Sequence, residues 1–303
     1  MSRPLIDCVG SFPQHEILGI GRTGLVIRRQ ETAIKLPLRW NTSSDDDVEA
    51  NIESLHHEQE IYHRLGKHDG IVPCVSFSKT STQLAYMSNG DLRAYLARGN
   101  RPTKSLQLAW FCDMARTLAY IHDQCIIVAD LASRNFLLDS DLTVKFCDFT
   151  ESVMFPFGSS TCIETVDDEG YSIQTDIGQL GAVMYEVVVG QRCEFDLFKD
   201  VPPEICRATW PRSENLPSTQ GIWLGPVIER CWTEGAFRNA HDLLNELEWA
   251  RENEELPPLG RKSPAMHYMT VLKNYVSLRP VSTLATTLST IAVLSMWMWR
   301  RRS

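Results

Sequence analysis

The chain has 303 residues, 43% hydrophobic and 22% charged, with a formal net charge of −8 at pH 7. That composition is ordinary for a globular protein and excludes wholesale disorder and fibrous repeats, while the acidity argues against nucleic acid as a partner. Nine cysteines without a CxxC pair suggest neither a disulfide framework nor a zinc cluster, and the N-terminal MSRPLIDCVGSF has no apolar core, so a cytoplasmic, reducing location is expected.

Glu16–Gly19, Leu25–Arg29 and Thr32–Leu36 are short apolar runs broken by glycine or polar turns, which predicts strands. Between the first two, Gly19-Ile20-Gly21-Arg22-Thr23-Gly24-Leu25-Val26 spaces its glycines as G-x-G-x-x-G-x-V. A dinucleotide-binding turn would run into a helix. Here Leu25-Val26-Ile27 continues as a strand, so the loop is a hairpin whose glycines let backbone N–H groups approach phosphate oxygens. Lys35 follows in Ala33-Ile34-Lys35, and a lysine inside an apolar strand needs a partner. The polar, acidic stretch 41–49 leads into a helix predicted over 47–66 by the spacing of Val48, Ile52, Leu55, Ile61, Tyr62 and Leu65, closed by Gly66. Of its acids, Glu58 and Glu60, Glu58 shares the buried face and is the candidate to fix Lys35. Strands are expected around Val72–Ser78 and Gln83–Met87. Helical periodicity then takes over at Leu106–His122, Thr175–Val189, Pro226–Cys231 and His241–Glu255. The pattern is that of an α+β chain in two lobes joined near Met87–Gly90.

Residues 121–149 carry the densest chemistry. After the apolar Ile126-Ile127-Val128, Asp130-Leu-Ala-Ser-Arg-Asn135 puts a carboxylate and an amide on one short loop. Asp139-Ser140-Asp141 reads as a tight turn between strands, and Asp148 follows the strand Val144–Cys147. Phosphoryl transfer asks for such a set: one carboxylate to orient the acceptor hydroxyl, and an Asn and a second Asp to hold Mg²⁺ against the phosphates.

In this order the motifs resemble those of a eukaryotic protein kinase domain, over roughly residues 12–252. The resemblance implies the bilobal protein-kinase fold: an N-terminal extension at 1–11, a small β-rich N-lobe with one long helix at 12–87, and a larger, mainly helical C-lobe at 88–252. It implies ATP and Mg²⁺ as cofactors. Lys35 would pair with Glu58 and hold the α and β phosphates, under the loop of Gly19, Ile20, Gly21 and Gly24. Val26, Ala33 and Leu137 would sandwich the adenine, Leu84, Tyr86 and Met87 belong to the hinge, and Asp91 would lie near the ribose. Asp130 would be the catalytic base, with Asn135 and Asp148 on magnesium. Asp176 would brace the catalytic loop, and Arg238 would pair with Glu164.

The sequence also departs from the family pattern. H-R-D reads Val128-Ala129-Asp130, and without the arginine no phosphate-gripping on-switch is expected. Val128 can serve as an apolar element beside Tyr62 and Phe149. D-F-G reads Asp148-Phe149-Thr150, which should stiffen the loop more than it disables metal binding. A-P-E reads Cys162-Ile163-Glu164, after a segment that is short for the family. Asp130–Asn135 resembles the tyrosine-kinase loop, with Arg134 matching its arginine, yet the acceptor stays open between Ser/Thr and Tyr. Two other readings stand beside a protein kinase: an ATP-binding pseudokinase or scaffold, and a small-molecule phosphotransferase. The protein substrate is not legible.

Pro257, Pro258, Gly260 and Pro264 mark a linker over 253–280. Val281–Trp299 is free of charge, contains seven Ser/Thr residues and precedes Arg300-Arg301-Arg302. As a helix it would span about 28 Å, near the thickness of a hydrocarbon core, with Trp297 and Trp299 placed as interfacial aromatics. A tail-anchored kinase facing the cytosol is expected, although its arginines would then lie on the far side, against the positive-inside preference.

Overall fold

The computed structural model describes residues 7–157, 166–199, 201–202 and 207–253. All lie within the first of two units, Met1–Glu254. Glu164, nearly all of the 253–280 linker and the segment 281–299 lie outside the described residues.

The predicted strands form one antiparallel sheet. β1 (Ile17–Ile20), β2 (Gly24–Arg29), β3 (Thr32–Pro37), β4 (Cys74–Ser78) and β5 (Ser81–Ala85) lie in the order β1-β2-β3-β5-β4. Burial alternates along β3, with Ala33, Lys35 and Pro37 inward, as side chains on opposite faces require. Leu25 and Ile27 pack on one face with Val9, Leu38, Ile34 and Leu36. Val9 thus joins this core, although the sequence places it ahead of the lobe. Val26, Ala33 and Lys35 are left for the other face. Val26 stands opposite Lys35 in the register, Lys35 opposite Thr82, and Ala33 opposite Leu84. β5 stops at Ala85, earlier than the expected Met87, because the chain turns there: Gly90 N donates to Met87 O (3.1 Å) and Gly90 takes a φ of 71°.

Helix α1 (Asp45–Leu65) begins two residues before the predicted start. Ser44 and Asp47 close a reciprocal capping box, and Asp45, Asp46 and Asp47 lie at the positive end of the helix dipole. The acids read as a loop are therefore the first turn. Ile52, Leu55, Glu58, Ile61, Tyr62 and Leu65 form its buried stripe.

The second lobe is built from α2 (Leu92–Ala97), α3 (Lys104–Asp123), α4 (Ile173–Val189), α5 (Gly225–Cys231) and α6 (Ala240–Asn253). α3 packs on α4 and α6, and α4 on α5. α2 is the element the periodicity misses. Between the helices, β6 (Ile126–Ile127) pairs with β9 (Val153–Met154), and β7 (Phe136–Leu138) with β8 (Val144–Phe146). Trp110, Phe111, Met114 and Leu118 of α3 and the edge-packed Phe136 and Phe146 are each almost fully buried. Each contributes about 1.5–3 kcal/mol of apolar burial.

Gly70 lets the lobes meet. A Cβ there would lie 1.8 Å from Thr117 Oγ1 on α3. The close approach allows Phe146 N to donate to Gly70 O (2.8 Å) and Val72 N to Phe146 O (2.9 Å), stitching the sheet lobe to the β7–β8 hairpin.

Candidate active site

Lys35 leaves the floor of the sheet toward two carboxylates. Its Nζ lies 2.9 Å from Glu58 Oε2 on α1 and 2.8 Å from Asp148 Oδ1 after β8. Glu58 is fully buried, and its Oε1 accepts a hydrogen bond from Phe149 N at 3.1 Å. One carboxylate therefore ties the sheet, α1 and the segment after β8 together. Burial alone would lower the Lys35 pKa, but the charges of Glu58 and Asp148 outweigh it and the value is raised. Burial raises the Glu58 pKa, opposed by Lys35. For Asp148, burial works upward and is overcome by Lys35 and by hydrogen bonds from Thr150, so its pKa falls. The cation and the cleft-facing carboxylate are charged together.

Phe149 is fully buried, and its ring meets Tyr62 of α1 edge-on at 5.2 Å between centroids. Val128 is buried at 3% exposure, as an apolar residue in place of histidine should be. Asp148 itself takes a φ of 62° and Ala129 a φ of 65°, both in the left-handed region. Such conformations persist where surroundings over-determine them. Here Asp176, fully buried on α4, accepts from Val128 N at 2.8 Å and Ala129 N at 2.9 Å. His122 Nε2 lies 2.9 Å from the same carboxylate. Gln179, on the same helix face, accepts from Leu131 N and donates to Ala129 O, each at 2.9 Å. Asp176 thus ties α4 to the loop through two backbone donors; His122 and Gln179 were not singled out by the sequence.

The braced loop presents Asp130 to the cleft. Its side chain is 34% exposed, and Arg134 Nη2 lies 2.6 and 2.7 Å from its two oxygens. Asn135 Nδ2 donates to Asp130 Oδ2 and to its backbone oxygen, both at 2.9 Å. With that nitrogen committed, the amide oxygen of Asn135 is the atom left for a cation. An amide oxygen and the ionised Asp148 are the hard oxygen donors that Mg²⁺ takes alongside water and phosphate. The residues present fit that ion.

The residues expected around an adenine lie on β2, β3, β5 and β7 and in the turn after β5. Ala33, Leu84 and Met87 are buried, Val26 half-buried, and half-buried Leu137 forms a β-bridge with Asp91. Asp91 Oδ1 accepts from Ala94 N at 2.8 Å, so this carboxylate caps α2 as well as facing the place expected for a ribose. Gly19 and Ile20 end β1, Gly24 opens β2, and Gly21 N donates to Gly24 O at 2.8 Å, closing the hairpin. Tyr86 stacks under the Arg28 guanidinium at 3.8 Å. The Arg238 guanidinium is 81% exposed and lies on Asp242 at 2.8 Å, while Glu164, its expected partner, is outside the described residues. Asp242 sits four residues on, at the start of α6, and takes the arginine locally.

Three further sets of polar contacts surround the site, the last of them buried inside the second lobe. Thr150 Oγ1 bridges Lys35 and Asp148, Arg22 pairs with Glu151, and Ser133 donates to the buried Glu186 at 2.8 Å.

A profile of the protein kinase domain matches residues 12–201. The sequence is 26% identical over 201 residues to a probable serine/threonine-protein kinase of Dictyostelium discoideum, covering 60% of this chain and 40% of that one. It is 26% identical over 285 residues to Protein kinase C-like 1B of Caenorhabditis elegans, covering 82% and 40% respectively. Aurora kinase of Schizosaccharomyces pombe is 26% identical over 197 residues, covering 60% of this chain and 55% of the other. The chain thus spans 40% of the length of each of the first two relatives.

Proposed function

From the premise that the chain belongs to the protein kinase family, matched over residues 12–201, we propose that it is an ATP- and Mg²⁺-dependent protein kinase acting on a protein hydroxyl. One observation carries this reading: the charged Lys35–Glu58–Asp148 cluster is assembled in the same cleft that Asp130 and Asn135 enter on a braced loop. MgATP, when bound, supplies the γ-phosphoryl group for transfer.

Lys35 Nζ would hold phosphate oxygens, fixed in place by Glu58. Asn135 through its amide oxygen and Asp148 through its carboxylate would hold the cation. The Asp130 carboxylate would orient the acceptor hydroxyl and take up its proton. Arg134, within reach of both Asp130 oxygens, keeps that carboxylate aimed until an acceptor arrives. The adenine would lie between Val26 and Ala33 on one side and Leu137 on the other.

The test is transfer of label from γ-labelled ATP with Mg²⁺ by the full chain, beside Asp130→Asn, on itself and on generic protein substrates. Label moved by the wild type and lost in the variant supports the reading, and hydrolysis to phosphoamino acids reads serine, threonine or tyrosine. No transfer, with nucleotide still raising the melting temperature, replaces it with an ATP-binding pseudokinase, the reading to which Ala129 and Thr150 lend weight.

We also propose that Val281–Trp299 anchors the chain in a membrane with the kinase domain facing the cytosol. What supports this is sequence alone: an uncharged run of spanning length flanked by Trp297, Trp299 and three arginines. No helix among the described residues is long and apolar enough to cross a membrane. Full-length chain should remain with membranes after alkaline carbonate extraction and be released when residues 281–303 are deleted; extraction of the intact chain would refute the anchor.

A further inference from the structure

The residue that replaces the expected glycine after Asp148-Phe149 is joined to both charges of the cluster. Thr150 Oγ1 accepts from Lys35 Nζ at 2.8 Å and donates to Asp148 Oδ1 at 2.7 Å. Lys35 Nζ lies 2.8 Å from the same Asp148 oxygen. Three atoms therefore form a closed triangle of hydrogen bonds with the polarity each requires. The ammonium has only protons to give, the carboxylate only lone pairs, and a hydroxyl can do both at once.

A glycine at this position could contribute none of this. It would also free the backbone at position 150 itself, two residues after Asp148 with its left-handed φ of 62°. Threonine acts in two ways. Its branched Cβ restricts χ1, so the hydroxyl is held on a short, stiff arm. Its hydroxyl gives the carboxylate a charge-assisted bond, of the stronger class, which sets the plane in which Asp148 presents itself to a cation. The segment is half-buried and lies directly over the cleft, so these bonds are not diluted by full exposure.

We propose that Thr150 is a positioning residue for the metal–nucleotide site, its hydroxyl holding the Asp148 carboxylate in binding register before nucleotide arrives. The proposal rests on the kinase reading above and adds to it the residue that readies the cation ligand. Groups that need no reorganisation when the ligand binds cost less binding energy. The contribution therefore falls on the metal-dependent part of nucleotide affinity.

Calorimetric titration of the full chain with ADP, once with Mg²⁺ and once with EDTA, tests this. Four proteins are compared: wild type, Thr150→Val, Thr150→Ala and Thr150→Ser. Valine keeps the branched shape without the hydroxyl, alanine guards against a valine variant that fails to fold, and serine restores the hydroxyl. The expected result is a rise of about tenfold in the Kd for MgADP in the valine and alanine variants, equivalent to about 1.4 kcal/mol. The EDTA affinity should stay within about twofold and the serine variant within about threefold of wild type, on the same fold-change scale. A hydroxyl-free variant that folds and binds MgADP as the wild type does overturns the proposal alone. So does a serine variant as weak as the valine one, because shape rather than the hydroxyl would then be responsible. A wild type that binds ADP under neither condition overturns the kinase reading and this proposal together.

Discussion

On the sheet side of the cleft the charges are turned inward, while on the acceptor side they face water. Lys35 and Glu58 are buried and paired with one another, and Lys35 also with Asp148. Asp130 and Arg134, by contrast, are 34% and 45% exposed, and Arg22 and Glu151 at the rim are 76% and 42% exposed. A buried charge that loses its partner is strongly destabilising, whereas exposed pairs are worth at most about 1 kcal/mol. The half around Lys35 and Glu58 is therefore part of what holds the fold together, and the half around Asp130 is freer to vary without threatening it. The departure at Ala129 falls on the acceptor side, and the one at Thr150 on the Lys35–Asp148 side.

The same contrast explains how the segment after Asp148 is fixed without an arginine at position 129. Arg64, at the end of α1, donates to Phe155 O at 3.0 Å and stacks on Phe157 at 4.1 Å, while His57 Nε2 lies 2.7 Å from Ser152 O. These ties run from α1 to the start of the segment and use backbone oxygens and a ring. None of them needs a phosphate.

The largest effect should come from the acceptor half and be purely kinetic. Asp130→Asn is expected to lower phosphoryl transfer by about 10³-fold, within the usual contribution of a positioned acid–base group. Because Asp130 is partly exposed and its pair with Arg134 is an exposed one, thermal stability and nucleotide affinity should barely move. A comparable fall in melting temperature would show that Asp130 belongs to the structural half after all.

Asp176 gives the opposite pattern. Asp176→Ala strips the acceptor from Val128 N and Ala129 N, two buried donors, at about 1–3 kcal/mol each. Denaturant unfolding should register a loss on the order of 4 kcal/mol, and transfer should fall with the loosened loop. Asp176→Asn keeps one oxygen and should lose less. Equal stability in both variants would mean that the loop is held by Gln179 alone.

How much of this was legible beforehand follows from the same physics. Lys35, Glu58, Asp130, Asn135 and Asp148 were readable because their chemistry requires particular residue types at fixed spacings. The long helices were readable because their buried stripes repeat over several turns, whereas α2, at six residues, is too short to show a period and is announced only by its cap, Asp91. The early start of α1 could have been read from Ser44 and Asp47, three residues apart. Thr150 is a different case: the motif predicts glycine there, so the sequence registers only what is missing. What its hydroxyl gains depends on Lys35, 115 residues away. Gln179 carries a weak signal, one turn beyond Asp176 on the same face of α4.

The smallest expected effect tests whether the two halves communicate across the rim. Arg22, at the tip of the glycine hairpin, pairs with Glu151, next to Thr150 in the chain and 129 residues from Arg22. The Arg22 pKa is raised chiefly by its hydrogen bond to Glu151 and by that carboxylate's charge, with a further upward pull from Asp130. The pair therefore ties the tip of the hairpin to the segment after β8. Exposure limits its worth, and screening should limit it further as salt rises. Arg22→Ala should speed nucleotide release by no more than about fivefold at low ionic strength, the rate equivalent of about 1 kcal/mol, and the difference should shrink toward none near 1 M salt. Glu151→Ala should match it, and the double variant should add nothing further, since both remove one interaction. An additive double variant would mean that Arg22 acts on the phosphates directly, and that the glycine hairpin belongs wholly to the buried, sheet-side half of the cleft.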